Sequence, residues 1–251
     1  MKSDLVNIMS YSIATSLESL SIKENTIVNT INPHSYCVAK NDKTFEDALK
    51  ASDLLLPDGV GIVWAAKMLN GKSIKKIAGF DVFMYLMQKL NNEKGSCFFL
   101  GASQSTLLTI KEKAAIDFPN VSVYSYSPPY KPNFTEIDSK LMCDQVNTVK
   151  PDVLFVGMTA PKQEKWVYTF KDQLDANISC SIGAVFDFYA GNVKRPSQFW
   201  ISLGLEWLPR FLKEPKRLAQ RNLVSTPKFI LEIIWFKIFG KEFLKNKHIQ
   251  S

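Results

Sequence analysis

The candidate catalytic residue of this sequence is Asp58. It follows an apolar run and lies in a glycine-rich turn. The run Leu54–Gly61 reads Leu-Leu-Leu-Pro-Asp-Gly-Val-Gly and passes into a helical pattern over Ile62–Leu69. A buried strand with such a turn places the acid at the carboxyl edge of a sheet, where open α/β sheets bind ligands. A carboxylate in that crevice can accept a proton. The alternative is that Asp58 only caps the next helix.

Small or polar residues also follow other predicted strands. They form the segments Asn29–Pro33, Pro57–Gly59, Gly101–Ser103, Gly157–Pro161 and Gly183–Ala184. Their recurrence at the same end of successive strands is typical of a ligand-binding edge, although each alone is an ordinary turn. The segment after Gly101 precedes a helix, whose first backbone N–H groups can hold a phosphate. The sequence has neither the full G-x-G-x-x-G fingerprint nor a P-loop, which argues against a dinucleotide enzyme or an NTPase.

Two further groups at this edge have side chains suited to a polar ligand. Lys162 and Gln163 open a helix, where an ammonium can meet a phosphate and an amide can bind sugar hydroxyls; alternatively they form a charged first turn in solvent. The loop Tyr124–Phe134 contains three prolines. Tyr126 or Tyr130 in this loop can stack on a base, or else pack within the loop itself.

The pattern of apolar segments predicts an α/β fold. The predicted strands are Thr26–Ile31, Asp53–Leu56, Cys97–Leu100, Val121–Tyr124, Val153–Val156 and Ile178–Ile182. Helical spacing is found between them, over Val82–Leu90, Leu107–Phe118 and Ile137–Val149. Strands and helices in alternation predict a mainly parallel, Rossmann-like sheet with helices on both faces.

Composition narrows the class of protein. The chain has 251 residues, 46% of them hydrophobic, which is enough for a substantial core. Its four cysteines are scattered without a C-x-x-C pair, as expected of reduced thiols in the cytosol. Its two histidines have no partner at metal-ligand spacing, which argues against histidine metal sites and Ser-His-Asp triads. No apolar block of signal-peptide length follows the first residues, so we expect no secretion.

The positive charge is concentrated at the end of the chain. From residue 194 onward there are 12 Lys or Arg and 4 Asp or Glu, a net charge of +8, against −1 for the first 193 residues. The composition therefore predicts an α/β domain over 1–193 and a basic, amphipathic appendage over 194–251. A basic tail on a neutral body indicates a local anionic partner, such as a membrane surface, a phosphate group or nucleic acid.

The appendage begins with a predicted amphipathic helix over Phe199–Phe211 and has two further features. The first is a cluster of five cations around Pro215: Arg210, Lys213, Lys216, Arg217 and Arg221. They can bind a pyrophosphate or acidic lipid heads, or form a solvated basic face. The apolar run Phe229–Phe239 is about half as long as a membrane span and suits a helix lying in the membrane interface. The alternative is a helix docked on the body or on a partner subunit.

These segments together resemble the WecG/TagA/CpsF family of bacterial glycosyltransferases, glycosyltransferase family 26. The resemblance extends from Thr26 to Arg221. It is carried by eight motifs: Thr30–Pro33, Pro57–Gly61, Ala78–Asp81, Phe99–Gly101, Val156–Trp166, Gly183–Asp187, Gly191–Arg195 and Leu203–Trp207.

The resemblance implies an inverting glycosyltransferase of cell-surface polysaccharide biosynthesis. Such an enzyme transfers N-acetylmannosamine, or a related uronic acid or hexose, from a UDP-sugar to a polyprenyl-pyrophosphate-linked sugar. It works without a metal or other cofactor. The implied location is cytoplasmic, peripheral on the inner face of the plasma membrane. Nucleic acid is not an expected partner, because no nucleic-acid-binding motif accompanies the basic tail, and a homo-oligomer is left open.

The resemblance also assigns roles to residues. Asp58 corresponds to the family's proposed general base, with Thr30 and Asn32 beside it and Gln163 near the donor. The full set of predicted substrate-binding residues is Thr30, Asn32, Gly59, Lys76, Gly101, Tyr130, Gly157, Lys162, Gln163, Arg195, Arg210, Arg217 and Arg221. Lys76 stands where relatives commonly have arginine, so the charge is kept and the bidentate fork is lost. The C-terminal arginines are linked in the family to an appendage that closes over the active site.

Two other classes of function compete with this interpretation. A non-catalytic, membrane-associated nucleotide-sugar binder or scaffold of a polysaccharide assembly complex would keep the basic tail and the glycine-rich edges. It would not need an ionised Asp58. Nucleic-acid binding through the tail is the weaker alternative, because no basic sheet interleaved with aromatic residues accompanies it.

Overall fold

A computed structural model describes residues 5–18, 20, 25–194, 196–197, 199–200 and 205–247, with the backbone alone for 210, 213, 217 and 241–247. The chain begins with an antiparallel hairpin of β1 (Leu5–Ile8) and β2 (Tyr11–Ala14). Alternate residues of β1 are buried, and in β2 all residues except Ser12 are buried. The hairpin therefore covers apolar surface with one face and meets solvent with the other.

Within the described residues, six parallel strands form the central sheet in the order β4-β3-β8-β7-β5-β6. The strands are β3 (Thr26–Ile31), β4 (Leu54–Pro57), β5 (Ser96–Gly101), β6 (Ser122–Tyr126), β7 (Val153–Gly157) and β8 (Ile178–Ser181). The helices between and after them are α1 (Pro33–Ala39), α2 (Lys43–Lys50), α3 (Val60–Asn70), α4 (Gly79–Glu93), α5 (Gln104–Asp117), α6 (Glu136–Val149), α7 (Lys162–Phe170) and α8 (Val185–Ala190).

The C-terminal segment is helical. It consists of α9 (Trp207–Lys213), α10 (Pro215–Ala219), a π-helix (Gln220–Ser225) and α11 (Thr226–Lys247). None of the helices in the part of the chain that the structure describes is long and apolar enough to cross a membrane.

Apolar side chains cover the sheet on both faces. One face packs against α4, α5 and α8 around Phe83, Phe99 and Phe155. On the other face, one cluster joins α6 and α7 to the middle of the sheet, and a second joins α1, α2 and α3 to the hairpin and to α11. The predicted α/β fold with a mainly parallel sheet and helices on both faces is confirmed.

The predicted strands and helices lie within a few residues of the observed ones. Strand Asp53–Leu56, for example, is observed as Leu54–Pro57. The hairpin was not predicted, because its strands are four residues long and its turn lacks the usual Asn-Gly or Asp-Gly signal. Met9 adopts a φ of 54° in that turn. A positive φ is uncommon for methionine, so the sequence gives no sign of this turn.

The predicted continuous helix Phe199–Phe211 is wrong. Leu205 and Glu206 are not helical and α9 begins only at Trp207, while residues 201–204 lie outside the described residues. A helix that began earlier would have Pro209 in its interior, where it would lose a backbone hydrogen bond. Starting at Trp207 places this proline in the first turn, where no such bond is needed.

The helix α11 docks on the body by one face. Phe229 and Ile233 are fully buried in the cluster of α1 and α3, and the Phe229 ring meets Tyr36 edge to face at 5.0 Å between centroids. Glu232 accepts a hydrogen bond from the Tyr36 hydroxyl at 3.2 Å and pairs with Lys40 at 2.8 Å. The division of the chain at residue 193 stays a prediction, and the appendage shares a core with the body.

Candidate active site

Asp58 is positioned by a strand that is buried along its whole length. All four residues of β4 are buried, and the Asp58 N–H donates to the carbonyl oxygen of Ile31 at 2.9 Å. Gly59 follows with a φ of 95°, a region that favours glycine, and it is the N-cap residue of α3. No side chain caps that helix. The alternative role of Asp58 as an N-cap is therefore wrong, and its carboxylate is available for another purpose.

The neighbouring strand β3 brings two predicted residues to the same edge. Thr30 lies opposite Leu56 in the parallel register, one residue before the strand ends. The Asn32 side-chain oxygen accepts the N–H groups of His34 and Ser35, each at 3.0 Å, and so caps α1. Thr30, Asn32 and Asp58 thus lie at the ends of adjacent strands, as predicted for a ligand-binding edge.

Lys76 is held at this edge by the coil between α3 and α4. The N–H of the next residue, Ile77, donates to the carbonyl oxygen of Pro57 at 2.9 Å, which ties the coil to the end of β4. The Lys76 ammonium lies 2.6 Å from a carboxylate oxygen of Glu206, in the turn before α9. The side chains are 15% and 28% exposed, so the ion pair is largely shielded from water.

The charges around Asp58 are mixed in sign. Burial is the main cause that raises the pKa of Asp58 above its ordinary value. Arg221 and Lys76 act in the opposite direction and lower this pKa, while Glu206 and Asp81 raise it further. Because the raising effects prevail, Asp58 is a stronger base than a carboxylate in water.

Arg221 reaches the site from a π-helix, a rare form that is frequent at functional sites. Ser225, one turn further on, is hydrogen-bonded to His34 Nδ1 at 2.9 Å, and its carbonyl oxygen accepts from the Cys37 thiol at 3.4 Å. Burial and the charge of Arg221 lower the pKa of His34, in that order. These contacts with α1 hold the arginine close to Asp58.

Two glycines allow β5 and β7 to end in close contact. Gly101 has a φ of 116°, and a Cβ atom there would lie 2.5 Å from the carbonyl oxygen of Gly157. A Cβ atom at Gly157 would lie 2.4 Å from the ring of Phe186. Neither position has room for a side chain, so backbone forms this part of the edge. The predicted phosphate contact of Gly101 stays a prediction.

Gln163 faces the interior of the protein and is 5% exposed. Its side-chain oxygen accepts the N–H of Gly183 at 3.0 Å, and its amide nitrogen donates to Glu164 at 2.8 Å. It therefore joins the start of α7 to the loop after β8. The alternative of a solvated first turn does not hold for Gln163, and its contact with a donor stays a prediction.

Lys162 and Tyr130 lie at the part of the edge formed by the proline-containing loop. The Lys162 ammonium donates to the carbonyl oxygen of Lys131 at 2.7 Å and lies 4.1 Å from the Phe134 ring centroid. Burial lowers the pKa of Lys162. Tyr130 is fully exposed, so it is not packed within its loop. The structure thus joins Lys162 to the loop, apart from the group around Asp58.

Three predicted cations fall outside this description. Arg195 lies outside the described residues, and so do the side chains of Arg210 and Arg217. The structure thus brings Asp58, Lys76 and Arg221 together, with Thr30 and Asn32 alongside.

Sequence reasoning did not assign a role to two carboxylates near Asp58. Glu206 belongs to the motif Leu203–Trp207 and Asp81 to the motif Ala78–Asp81, so both stood within segments that carried the resemblance. Asp81 accepts the N–H of Ala78 at 2.9 Å and caps α4. Nothing in the local sequence pattern indicated that both carboxylates lie near Asp58.

Among the residues that the structure describes, no group of three or more His, Cys, Asp or Glu side chains is arranged to hold a metal ion. The cysteines Cys37, Cys97, Cys143 and Cys180 are free and buried.

Comparison with known proteins identifies the family. The profile of the Glycosyl transferase WecG/TagA/CpsF family matches residues 4–242. The chain belongs to this family.

Similar proteins in the family carry the name N-acetylglucosaminyldiphosphoundecaprenol N-acetyl-beta-D-mannosaminyltransferase. The one from Bacillus subtilis (strain 168) is 31% identical over 212 residues, covering 84% of this chain and 80% of the relative. The one from Bacillus spizizenii (strain ATCC 23059 / NRRL B-14472 / W23) is 30% identical over 233 residues, covering 92% and 88%. The one from Staphylococcus aureus (strain MW2) is 24% identical over 209 residues, covering 83% and 80%.

Membership of the WecG/TagA/CpsF family confirms the predicted class of enzyme. The protein is a glycosyltransferase. The alternative of a non-catalytic binding or scaffold protein is therefore not retained.

Glu164, which accepts a hydrogen bond from Gln163, allows a test of how burial affects a carboxylate at the start of α7. It is 6% exposed, and its second carboxylate oxygen has no partner among the described residues. Burial raises its pKa from 4.5 to about 7. Its protonated form is therefore favoured by folding, and the resulting stabilisation is present below its unfolded-state pKa and lost as the pH rises toward 7.

We expect Glu164→Gln to remove this pH dependence, because the amide keeps the shape and stays neutral. Relative to the variant, the free energy of unfolding of the unchanged protein should fall across this window by up to about 1.4 kcal/mol per pH unit. Urea unfolding at a series of pH values measures it. The control is Glu112→Gln on the exposed face of α5. Parallel curves for the unchanged protein and Glu164→Gln would contradict the prediction.

Proposed function

We propose that the enzyme transfers N-acetylmannosamine, or a related sugar, from a UDP-sugar to N-acetylglucosamine carried on a polyprenyl pyrophosphate. The names of its relatives support this donor sugar and this lipid-linked acceptor. The observation that carries the proposal is Asp58, a basic carboxylate at the sheet edge with Lys76 and Arg221 nearby. Transfer to such an acceptor serves cell-wall polysaccharide synthesis.

In this reaction Asp58 acts as the general base. It takes the proton of the acceptor hydroxyl while that oxygen attacks the anomeric carbon of the donor. The bond from that carbon to the UDP oxygen breaks, so the configuration inverts and the proton remains on Asp58. Its raised pKa suits this task, because a stronger base withdraws the proton more completely in the transition state.

The departing UDP carries the charge that develops during transfer. Lys76 and Arg221 are the described cations that act on Asp58, and they are suited to stabilise a pyrophosphate in the same crevice. Thr30 and Asn32 line the neighbouring strand end, where hydroxyl and amide groups can orient a sugar. We extend the same role to Arg195, Arg210 and Arg217 on the strength of the resemblance.

Replacement of the base tests this proposal directly. We expect Asp58→Asn to lower kcat by roughly a hundredfold to ten-thousandfold, because the amide keeps the shape and cannot take the proton. UDP affinity should change little. The measurement is release of UDP from UDP-N-acetylmannosamine with a short-lipid pyrophosphate-N-acetylglucosamine acceptor. The control is Asp144→Asn on the exposed face of α6. A folded Asp58→Asn variant with nearly full turnover would exclude the base role.

We also propose that the reaction needs no divalent metal and no other cofactor. The support is the pair of cations close to Asp58, which can neutralise the leaving group without an ion. Turnover should therefore persist in excess EDTA at nearly its initial rate. Its loss in EDTA, with recovery on addition of Mg²⁺ or Mn²⁺, would contradict this proposal.

The appendage is the part of the protein that we expect to meet the cytoplasmic face of the membrane. Leu231, Trp235 and Ile238 are 66%, 55% and 60% exposed, and they follow one another at helical spacing on the side of α11 away from Phe229. Lys228 lies on the same stripe, one turn earlier. An apolar stripe with an aromatic residue and flanking lysines suits the interface of an anionic bilayer.

The variant Leu231→Glu/Trp235→Glu/Ile238→Glu should bind anionic liposomes at least about tenfold more weakly, a loss of about 1.4 kcal/mol or more. Flotation with liposomes of anionic phospholipid measures this. The control is Leu108→Glu/Ile116→Glu/Ile137→Glu, which makes the same charge change at exposed apolar residues of α5 and α6. Equal binding by the two variants would contradict membrane docking through α11, and self-association through this stripe would then be the explanation to test.

A further inference from the structure

The ion pair between Lys76 and Glu206 joins two distant parts of the chain at the active site. The two residues are 130 positions apart, and their charged atoms lie 2.6 Å from each other. Both side chains are mostly shielded from water, and both affect the pKa of Asp58: Glu206 raises it and Lys76 lowers it. In such surroundings, loss of one partner leaves the other charge uncompensated.

We propose that Glu206 is a positioning residue of the transfer reaction, which holds the Lys76 ammonium beside Asp58 and places a second carboxylate close to the base. The inference rests on the proposed function, because it assumes that Asp58 is the base. The glycosyltransferase family assignment does not require it.

The need for such a carboxylate follows from the two tasks of the site. Cations are required for the pyrophosphate, but a cation close to a carboxylate weakens it as a base. Among the residues whose side chains the structure describes, the charged groups acting on Asp58 from neighbouring elements are Arg221, Glu206, Lys76 and Asp81, in decreasing order of effect. Glu206 raises the pKa of Asp58 and so opposes the lowering effect of the Lys76 ammonium with which it pairs. Glu206 thereby lets the site keep its cations and a basic Asp58 together.

The backbone around Glu206 explains how it stays in place. The N–H of Leu205 donates to the carbonyl oxygen of Trp200 at 2.9 Å, and the N–H of Leu208 donates to that of Leu205 at 3.0 Å. These bonds fix the turn before α9 that carries Glu206. The C-terminal segment thus supplies both a cation, Arg221, and an anion to the surroundings of Asp58.

The pH dependence of kcat/KM tests this inference, because its acidic limb reports the ionisation of the base in the free enzyme. Glu206→Gln should move that limb to lower pH by roughly one unit, since a raising charge is removed. Lys76→Gln should move it to higher pH, since a lowering charge is removed. These opposite shifts distinguish an electrostatic role from a structural one, which would lower activity without moving the limb.

The control is Asp175→Asn, which breaks an exposed ion pair with Lys150 and should leave the limb in place. A folded Glu206→Gln variant whose limb is unmoved, or moved upward, would overturn the proposal. If this variant does not fold, as judged by circular dichroism, Lys76→Gln decides, and an unmoved limb there overturns it as well. Asp58→Asn is assayed in parallel: if it is active, the base role itself fails. If it is inactive while the limb stays fixed in the other variants, only the role of Glu206 fails.

Discussion

The partial burial of one carboxylate at the end of β4 is the constraint on which the site depends. Asp58 follows four buried residues, and its backbone continues the parallel ladder to Ile31. A charge in such a place is costly unless other charges compensate it. The surrounding segments supply them from three directions: the coil before α4, the turn before α9 and the π-helix before α11. Much of the C-terminal architecture can thus be understood as the means of bringing Glu206 and Arg221 to a strand end formed by distant sequence.

The sequence predicted the sheet well, because strands of a parallel sheet are buried on both faces and appear as short apolar runs. Val153–Val156 and Ile178–Ile182 are such runs, and both were observed nearly as predicted. The hairpin at Leu5–Ala14 has a weaker signal, because its strands are only four residues long, each with exposed positions, and a methionine stands in its turn.

The active site was predictable only in part. Asp58 and the segment Asn29–Pro33 were recognised because small and polar residues recur where strands end, and the resemblance to the family then singled out Thr30 and Asn32 within that segment. The pairing of Lys76 with Glu206 has no local pattern, since the two residues meet only through the fold. The orientation of Gln163 could not be predicted from the sequence either, because a residue in the first turn of a helix can face solvent or the interior. Its hydrogen bonds with Gly183 and Glu164 hold it in the interior.

The helix α1 connects the site to the C-terminal helix over a short path. Its N-cap is Asn32, at the end of the strand next to β4, and its residue Tyr36 and its C-cap Lys40 contact α11. A helix with its side chains is about 10 Å across. Two helices, α1 and α11, thus separate the end of the neighbouring strand from the outer side of α11, a width of about two helix diameters. A surface that touches that side would lie roughly 20 Å from the end of β4. At that distance, a sugar on a lipid pyrophosphate need raise only its polar head from the bilayer, while its hydrocarbon chain stays in the membrane.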